Sequence, residues 1–413
     1  MLLPSSLRID AARARVSLDP RDDAFVQDPY RAYAAIRAAC PAFWWEEYGH
    51  WCLAGHAEVS AAFRDRRLGR QILHVASRAE LGWDEPEPHL EPWLAVERRS
   101  LLELEPPDHT RLRGLVNRAF VSRQVERLRP RIAELAHGLI DRFEGRGEVE
   151  LIEAFATPIP VILIAELLGV PSARAPDLLR WSHAMVAMYQ FRRTRQVEDE
   201  AVAATRDFVE FLSGYVAERR KRPAEDLISS LIAAEEAGEK LSAAELVSTC
   251  ILLLNAGHEA TVHAIGNGVA SLLRAGCDPS RTPAASLPGL VEETLRLDPP
   301  LHMFTRYALE PCEMFGASLR RGERIGLLLG AANRDPARFA DPDRLDPARQ
   351  PNPHVAFGGG IHFCVGAPLA RLELEVALPI LFARLPGLRL AAPPRYRDAY
   401  HFHGLERLDL AFG

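Results

Sequence analysis

Residues 357–377 read FGGGIHFCVGAPLARLELEVA, which joins a run of glycines, a cysteine and an apolar segment. Cys364 follows three glycines and precedes a segment whose apolar spacing predicts a helix over 366–385. Glycines let the backbone take left-handed turns and approach a flat ligand closely, because they have no Cβ. Peptide N–H groups at a helix start favour a negatively charged sulfur and lower the pKa of a thiol below its free value of about 8.5. The residues alone leave two interpretations: a metal-bound thiolate, or a buried apolar cysteine beside a turn.

A second segment, LLLNAGHEATVHAIGNGVASLL at 252–273, has a helical pattern in which one face is nearly bare of side chains. Its small residues recur every three or four positions, at Ala256, Gly257, Ala260, Ala264 and Gly268. Such a face lets a planar or bulky group lie close to the backbone, although tight helix packing would explain it as well. Glu259 is harder to explain, because a carboxylate in an apolar helix is costly unless it is paired, hydrated or functional.

The histidines of this segment do not fit a metalloprotease motif. Zinc-binding histidines on one helix stand four residues apart, whereas His258 and His263 are five apart and so about 140° out of line. GNGVAS is not a dinucleotide-binding fingerprint, because its third glycine position holds Ser271 and no strand is predicted before it. The sequence also lacks a GxxxxGK[ST] phosphate loop and a GxSxG nucleophile motif.

The composition excludes several classes of protein. The 413 residues include 50 Lys plus Arg against 56 Asp plus Glu, a net charge of −6, which argues against nucleic-acid binding by phosphate neutralisation. The most apolar stretch, 246–257, is too short to span a bilayer, and the N-terminus lacks the apolar core of a secretory signal. We therefore expect no membrane anchor and a cytoplasmic location. The six cysteines are scattered, which indicates neither a disulfide framework nor a cysteine-rich zinc site.

Helical periodicity dominates the middle of the chain. Helices are predicted over 28–39 and through 290–297, and the region 108–275 should be mainly helical. Pro299 and Pro300 end the second of these helices. Because no linker divides the chain, we predict a single domain over 1–413, mainly α with minor β-sheets.

Strand and loop signals occupy the remaining segments. An aromatic, β-branched stretch at 41–59 with a break at Gly49 predicts a hairpin, and 305–329 reads as a β-like run. The prolines of 71–107 predict a long loop with short helical pieces, and 332–360 should lack regular structure.

Glu293 and Arg296, three residues apart on the predicted helix, would alone indicate a solvated surface pair. With the two segments above, however, they resemble the cytochrome P450 superfamily of haem-thiolate monooxygenases over nearly the whole chain, with Glu293 and Arg296 as its ExxR pair. The family pattern FGxGxHxCxG is met by Phe357, Gly358, Gly360, His362, Cys364 and Gly366. The pattern FxxPxxFxPxR appears as Phe339, Pro342, Leu345, Pro347 and Arg349, with leucine for the second phenylalanine. The resemblance implies the cytochrome P450 fold, a triangular prism of helices around haem.

The resemblance also implies roles for individual residues. Cys364 would be the axial thiolate on the iron of haem b (iron protoporphyrin IX), where its electron donation favours O–O cleavage. Glu293, Arg296 and Arg349 would form a buried structural network. The implied haem-binding residues are His109, Arg113, Ala256, Arg306, Phe357, Gly358, His362, Cys364 and Gly366. Among them His109, Arg113, Arg306 and His362 would meet the propionates, since buried carboxylates need cationic or N–H partners.

One position departs from the family. The oxygen-activating helix usually carries [AG]Gx[DE]T, and Ala256, Gly257 and Glu259 set its register, but the threonine position holds Ala260. Thr261 follows, about 100° further around the helix, so its hydroxyl should not point at oxygen. We therefore expect Glu259 to deliver protons through ordered water, helped by His258 or by a hydroxyl of the substrate.

The implied reaction is insertion of one oxygen atom from O2 into an apolar small molecule, by hydroxylation or epoxidation. Electrons would come from an iron–sulfur ferredoxin and its NAD(P)H-dependent reductase, which could dock at Arg344 and Arg371, and the chain would be a monomer. Substrate should meet the segments 72–94, 181–191, 301–304 and 400–403. The individual contacts expected are Leu253, His258, His302, Phe304 and Phe402, with His401 and His403 as further polar anchors. Peroxide-driven oxidation, oxidative coupling and a haem-binding sensor without turnover remain alternatives.

Overall fold

The computed structural model describes residues 3–119, 125–190, 193–236 and 241–413. The chain groups into two compact units. The first unit comprises Met1–Val75, Arg129–Ala156 and Ala260–Gly413, and the second comprises Ala76–Leu128 and Thr157–Glu259. The predicted single domain over 1–413 stays a prediction.

A seven-stranded sheet organises the first unit. Its strands, in spatial order, are Arg8–Asp10, Arg15–Ser17, Ala42–Trp45, His50–Leu53, Arg324–Leu328, Met303–Ala308 and Leu68–Gly69. The predicted hairpin is confirmed: Ala42 pairs with Leu53 in an antiparallel register, and Gly49 makes the turn with a positive φ of 63°. The predicted β-like run is confirmed as well, because Arg324–Leu328 pairs antiparallel with Met303–Ala308.

The core of this unit lies against the sheet. Arg324–Leu328 is an interior strand whose last four residues are all buried, as expected for a strand covered on both faces. Around it pack Phe25, Tyr33 and Trp45, each at most 1% exposed. The indole N–H of Trp45 donates to the carbonyl of Leu18 at 2.9 Å, so this large ring is buried without an unsatisfied polar atom.

Smaller sheets complete the first unit. Arg389–Leu390, Asp409–Ala411 and Glu148–Glu150 form three antiparallel strands. Two hairpins are added by Cys312–Met314 with Ala317–Leu319 and by Arg395–Tyr396 with Leu405–Arg407. Glu148–Glu150 lies inside the region predicted as mainly helical. The periodicity missed it, because three residues are too short to show a period and their partner is more than 200 positions away.

Three helices of the first unit, predicted over 28–39, through 290–297 and over 366–385, are confirmed with bounds that differ by at most three residues, whereas the end of the predicted hairpin segment 41–59 is instead the start of helix His56–Ala62. The helices of this unit are Asp23–Gln27, Tyr30–Ala39, His56–Ala62, Arg129–Ile140, the π-helix Ile152–Ala156, Leu287–Leu297, Leu329–Ala332 and Ala367–Arg384. Pro29 precedes the second of these helices, and the one ending at Leu297 stops before Pro299, because proline cannot continue a helical hydrogen-bond ladder. Short 3₁₀ turns lie at Pro279–Arg281, Ala284–Ser286 and Gly360–His362.

The described residues of the second unit are helical or irregular. Its helices are Arg78–Leu81, Glu91–Glu97, Asp108–Ala119, Pro158–Leu168, Ala175–Val186, Arg195–Lys221 and Leu227–Glu236. The predicted loop over 71–107 does contain only short helical pieces. Ala175–Val186 packs on Arg195–Lys221 through Trp181, whose ring centroid lies 5.2 Å from that of Phe208.

The long helix Ala243–Ala275 contributes its residues through Glu259 to the second unit and the rest to the first. It begins with a reciprocal cap: Ser242 N–H donates to the Glu245 carboxylate at 2.7 Å, and Glu245 N–H donates to the Ser242 hydroxyl at 3.2 Å. All residues from Thr261 to Ala270 are buried, so this part is a core helix. Within the described ranges, no helix has both the length and the hydropathy needed to cross a membrane.

Candidate active site

The cysteine loop, residues 357–366, is held in shape by its own backbone. The N–H of Cys364 donates to the carbonyl of Phe357 at 3.0 Å, which closes the loop. Gly358 and Gly360 take left-handed φ values of 70° and 66°, a conformation that costs other residues energy. The helix Ala367–Arg384 begins directly after the loop, so its first N–H groups and its positive dipole end lie near the sulfur.

Gly360 also makes a close approach that only glycine permits. A Cβ at this position would lie 2.0 Å from the carbonyl oxygen of Phe63, well inside contact distance. The loop therefore presses directly on the backbone that follows helix His56–Ala62. Cys364 is exposed at the loop's end, whereas the other five cysteines are buried or partly buried. A thiol on a rigid glycine loop at a helix start suits a metal-bound thiolate beside a flat group, and the alternative of a buried apolar cysteine is wrong.

The Glu293–Arg296 pair is fully buried, with both side chains 0% exposed, and is therefore not a surface pair. Arg296 donates two parallel hydrogen bonds to the Glu293 carboxylate, each 2.8 Å long. Its remaining N–H groups donate to the carbonyls of Asn333, Pro342 and Arg344 at 2.7 to 3.1 Å. All five guanidinium donors are thus used, which is what makes a buried charge tolerable.

The Glu293 carboxylate is equally saturated. Arg349 donates to it at 3.0 Å, the side-chain amide of Asn352 at 3.1 Å, and the backbone N–H of Asp346 at 2.9 Å. The structure thus brings Glu293, Arg296 and Arg349 together, and the network fixes the irregular segment 332–360 that leads to the cysteine loop.

A second ionic cluster, formed by Glu292, Arg371 and His354, lies next to Phe357 of the cysteine loop. Glu292 accepts two hydrogen bonds from Arg371 at 2.5 and 2.9 Å and lies 3.0 Å from Nε2 of His354. The Arg371 guanidinium lies over the Phe357 ring at 4.5 Å. Burial would raise the pKa of Glu292, but the hydrogen bonds from Arg371 and His354 outweigh it and lower that pKa to about 2.

This lowered pKa predicts a pH-dependent contribution to stability. The ionised Glu292 stabilises the fold at pH values above its ordinary pKa of 4.5, and this contribution is lost as the pH falls towards 2. Glu292→Gln should therefore lower the free energy of unfolding by about 1–3 kcal/mol at pH 7, and the difference from wild type should shrink below pH 4.5. Urea unfolding across this pH range measures it.

Glu91→Gln is the matched control, because Glu91 accepts the same paired contact from Arg98 but its side chain is 57% exposed. We expect that substitution to leave the urea midpoint nearly unchanged across this pH range, because solvent screens an exposed ion pair. A Glu292→Gln variant as stable as wild type at pH 7 would contradict the prediction.

Arg306 lies on strand Met303–Ala308 and is 3% exposed. Its guanidinium stacks on Phe63 at 5.2 Å and Phe304 at 5.4 Å and donates to the carbonyl of Thr305 at 3.0 Å. Phe63 follows helix His56–Ala62 and also carries the carbonyl that Gly360 approaches. Arg306 and the cysteine loop thus share a neighbour, which is consistent with a cationic group placed beside the same ligand.

In the second unit, His109 and Arg113 lie four residues apart on helix Asp108–Ala119 and therefore on one face. His109 is 2% exposed, and its backbone N–H donates to the carbonyl of Glu105 at 3.0 Å. Arg113 is partly exposed and contacts the Asn117 side chain at 3.1 Å. Two side chains on one helix face can contact the same anionic group. The role of His109 and Arg113 in binding the propionates stays a prediction.

The small residues of the long helix differ in how exposed they are. Ala256 is exposed and Ala260 is partly exposed, four residues further on the same face. Thr261 is 5% exposed and therefore turned away from that face. Gly257 has a packing reason, since a Cβ there would lie 3.1 Å from Ile164 of helix Pro158–Leu168. Tight packing thus explains Gly257, whereas a planar group lying over Ala256 and Ala260 stays a prediction.

Glu259 lies between two histidines. Its Oε2 is 3.4 Å from Nε2 of His183, on helix Ala175–Val186, and 3.5 Å from Nε2 of His258. The Glu259 side chain is 12% exposed and that of His183 is 46% exposed. The carboxylate is therefore paired within the second unit. His183 was not singled out from the sequence, because an exposed helical histidine carries no sign of its distant neighbour.

His302, whose predicted contact with substrate stays a prediction, lies in a buried polar cluster of the first unit. It is 0% exposed, with its Nδ1 at 3.0 Å from the Tyr33 hydroxyl and its ring 4.3 Å from that of His403. Burial and the nearby His403 lower the pKa of His302. Asp298, at the centre of the cluster, accepts hydrogen bonds from Tyr30 and Tyr396, so His302 is bound up in a structural network.

The other predicted substrate contacts are spread over both units. Leu253 and His258 are buried in the second unit, whereas Phe304 and Phe402 are partly buried in the first. Phe402 forms an isolated antiparallel β-bridge with Leu301. Phe191, at the end of the predicted segment 181–191, lies outside the described residues. The substrate role of these residues stays a prediction.

The second unit also contains a cavity of about 580 Å³. It is lined by helix Glu91–Glu97, the second half of Arg195–Lys221 and the start of the long helix. The lining is mostly apolar, with arginines at 99, 206 and 220. Leu253 and His258 do not line it.

Comparison with known proteins places these features in a family. Residues 286–385, which hold the Glu293–Arg296 network and the cysteine loop, match the family model for cytochrome P450. A relative named cytochrome P450 107B1, from Saccharopolyspora erythraea, is 41% identical over 405 residues, covering 95% of this chain and 97% of the relative.

Two further comparisons agree. The 6-deoxyerythronolide B hydroxylase of the same organism is 37% identical and covers 90% of this chain and 92% of its own length. Among solved structures, P450BioI in complex with an acyl carrier protein ligated to hexadec-9Z-enoic acid superposes with a TM-score of 0.87 at 34% identity. That match covers 94% of this chain and 100% of P450BioI.

Proposed function

Since this chain belongs to the cytochrome P450 family and is therefore a haem-dependent monooxygenase, we propose that it hydroxylates or epoxidises a large, mainly aliphatic organic compound with electrons from a ferredoxin. The single observation that carries the proposal is Cys364, exposed at the end of a closed glycine loop and at a helix start. Haem bound at this sulfur would supply the activation of O2. The chain's own residues must then hold the group, deliver protons and exclude bulk water.

The residues present fit haem. Cys364 offers a sulfur ligand, and the rigid backbone of Gly358 and Gly360 allows a flat ring to lie close to the loop. Phe357, His362 and Gly366 belong to the same short loop. For the carboxylates of haem, Arg306 is the proposed partner, and the family resemblance adds His109, Arg113 and His362 as predicted partners.

Proton delivery is assigned to the Oε2 atom of Glu259. Ala260 has no hydroxyl, and Thr261 is buried on another face, so neither can donate in place of the usual threonine. Glu259 would hold a proton supplied from His258, or from water beside the half-exposed His183, and pass it on through ordered water. A hydroxyl on the substrate would supply the donor that position 260 lacks.

This assignment predicts opposite results for two substitutions. Glu259→Gln should lower the fraction of NADH consumption that yields product by about 10²-fold or more, because it removes the acid. Ala260→Thr should keep or improve that coupling, since it adds a donor on the open face of the helix. Coupling is measured as product formed per NADH oxidised, and unchanged coupling in Glu259→Gln would remove Glu259 from the relay.

The substrate class rests on the relatives and on the predicted contacts. One relative is named for 6-deoxyerythronolide B, and one solved neighbour was captured with a hexadecenoic acid on an acyl carrier protein. The proposed contacts Leu253, Phe304 and Phe402 are apolar, which suits a similar aliphatic molecule.

The test of the function is a ligand screen followed by reconstitution. Free acids, carrier-linked acyl chains and macrolides are tested for conversion of the ferric haem from low to high spin. Hits are then incubated with ferredoxin, reductase and NAD(P)H, and oxygenated product is expected. A reduced, CO-treated protein without the thiolate-type absorption band would overturn the proposal.

Docking of the electron donor is proposed near the cysteine loop. Ile361 and Phe363 are 51% and 41% exposed there, and Arg344 has a side chain that is 68% exposed. Arg371 is less suitable, because its Nε and Nη2 atoms already donate to Glu292. An acidic ferredoxin would meet Arg344 with an apolar contact beside it.

A second candidate, peroxide-driven oxidation, is favoured by one observation, the alanine at position 260. An enzyme that takes its oxygen from peroxide needs no proton relay of the usual kind. Product formation with hydrogen peroxide at a rate above that of the ferredoxin system would favour it.

A further inference from the structure

Three ligand-type side chains converge in the second unit: His183, His258 and Glu259. The relevant atoms, two imidazole nitrogens and one carboxylate oxygen, all lie within 4.8 Å of one another. Two of the three separations are 3.4 and 3.5 Å, from Glu259 Oε2 to the two Nε2 atoms. In the proton route proposed above, His183 only borders the water that supplies Glu259, and the proximity of its Nε2 to the carboxylate has no role of its own there.

The separations match those between ligands of a tetrahedral metal ion. Zinc binds imidazole nitrogen and carboxylate oxygen at about 2.0–2.2 Å, and the edge of such a tetrahedron is then about 3.3–3.6 Å. Both distances from Glu259 fall in this range. A cation could therefore be held between these groups with little movement of the side chains.

The ring of His258 is oriented for such a role. Its Nδ1 lies 2.8 Å from the carbonyl oxygen of Leu254, one helical turn earlier. A carbonyl only accepts hydrogen bonds, so Nδ1 carries the proton and Nε2 presents its lone pair towards Glu259. Metal-bound histidines commonly donate the other ring N–H to a backbone carbonyl in this way.

The site is also reachable from solvent. The side chain of His183 is 46% exposed, whereas those of His258 and Glu259 are 3% and 12% exposed. A cation can thus enter past His183 and complete its coordination with water. Two histidines, one glutamate and one water form a known zinc ligand set.

A second group of the same residue types shows the contrast. Asp298, His302 and His403 also bring their ligand atoms within 4.8 Å, but all three are buried. Hydroxyls of Tyr30 and Tyr396 donate to Asp298, and that of Tyr33 contacts His302. Its ligand atoms are therefore engaged, and no exposed member offers a route for an ion.

We propose that His183, His258 and Glu259 form a binding site for a divalent cation of the zinc type, separate from the haem ligand Cys364. The bound ion would join helix Ala175–Val186 to the long helix through protein ligands from both. It would also occupy the carboxylate to which proton delivery is assigned. Zinc bound to this carboxylate should therefore inhibit turnover. That inhibition rests on the proposed function, whereas the binding of zinc does not.

The test is equilibrium dialysis of the untagged, haem-loaded enzyme against Zn²⁺, with metal and haem both quantified. Wild type should bind one equivalent tightly. His183→Ala and Glu259→Gln should each weaken that equivalent by at least about 10-fold, since even partners outside the ligand shell cost that much. The unchanged haem content and absorption spectrum of each variant show that it is folded.

His89→Ala is the matched control. His89 Nε2 lies 3.0 Å from a carboxylate oxygen of Glu198, in the same unit, but this pair offers only two ligand atoms. Its removal should leave zinc binding intact. Absence of a tight equivalent in wild type, or equal affinity in wild type, His183→Ala and Glu259→Gln, overturns the proposal. Zinc binding without inhibition of turnover keeps the site and instead contradicts the role given to Glu259.

Discussion

Replacing Cys364 with alanine is expected to abolish turnover and the thiolate-type carbonyl band of the reduced protein. The loop places one sulfur at its end, and the hydrogen bond from Cys364 N–H to Phe357 closes the loop whatever the side chain is. The alanine variant should therefore keep its backbone and lose only the ligand. Without the electron donation of the thiolate, O–O cleavage is no longer favoured. The measurements are the reduced-CO difference spectrum and product formation.

Cys277→Ala is the control for this experiment, because Cys277 is a partly buried cysteine with no place in the loop. Its carbonyl band and turnover should equal those of wild type. An alanine at 364 that keeps the thiolate-type band would show that another group binds the iron.

Arg296→Lys should yield little or no folded, haem-loaded protein. Arg296 uses five N–H donors in a site with 0% exposure, and an ammonium offers only three donors without the planar fork. Lysine keeps the charge but leaves two of the five buried acceptors without a donor, and each such group costs about 1–3 kcal/mol, a large part of the 5–15 kcal/mol that stabilises a typical protein. Haem per chain and the urea midpoint both measure the loss.

The same substitution at the surface provides the comparison. Arg195 contacts Asp199 at 2.9 Å on a helix, with side chains 64% and 56% exposed. Arg195→Lys should change the urea midpoint very little, because an exposed pair of this kind contributes only a few tenths of a kcal/mol. A fully haem-loaded Arg296→Lys protein with a wild-type midpoint would show that the fork geometry is dispensable.

The parts of the site that could be predicted are those whose residues are close in sequence. The cysteine loop, its glycines and the following helix occupy about 30 consecutive positions, and local patterns suffice for such features. The Glu293–Arg296 pair was visible as an i,i+3 spacing, but that spacing alone would have placed it on the surface. Only its resemblance to a family pattern indicated burial, since the carbonyls that satisfy Arg296 come from positions 333–344.

The parts that could not be predicted depend on contacts between distant segments. His183 and Glu259 are 76 positions apart, and neither sequence neighbourhood indicates the other. The aromatic segment around His302 predicts a substrate contact and gives no sign of the buried polar cluster, because its partners Tyr33 and His403 come from opposite ends of the chain. Periodicity reports which face of an element is buried, and it does not report what covers that face.

The three adjacent glycines of the cysteine loop are not equivalent, and laboratory evolution of this enzyme should reveal it. At position 360 the backbone is left-handed and a methyl group would collide with the main chain of Phe63, which has nowhere to move. At position 359 the backbone is extended, and a methyl group would lie 3.0 Å from Cβ and 3.3 Å from Cγ of Phe63, so a small residue needs only a slight shift of that side chain. Libraries that seek new substrates can therefore diversify 359, whereas every clone altered at 360 is expected to be lost.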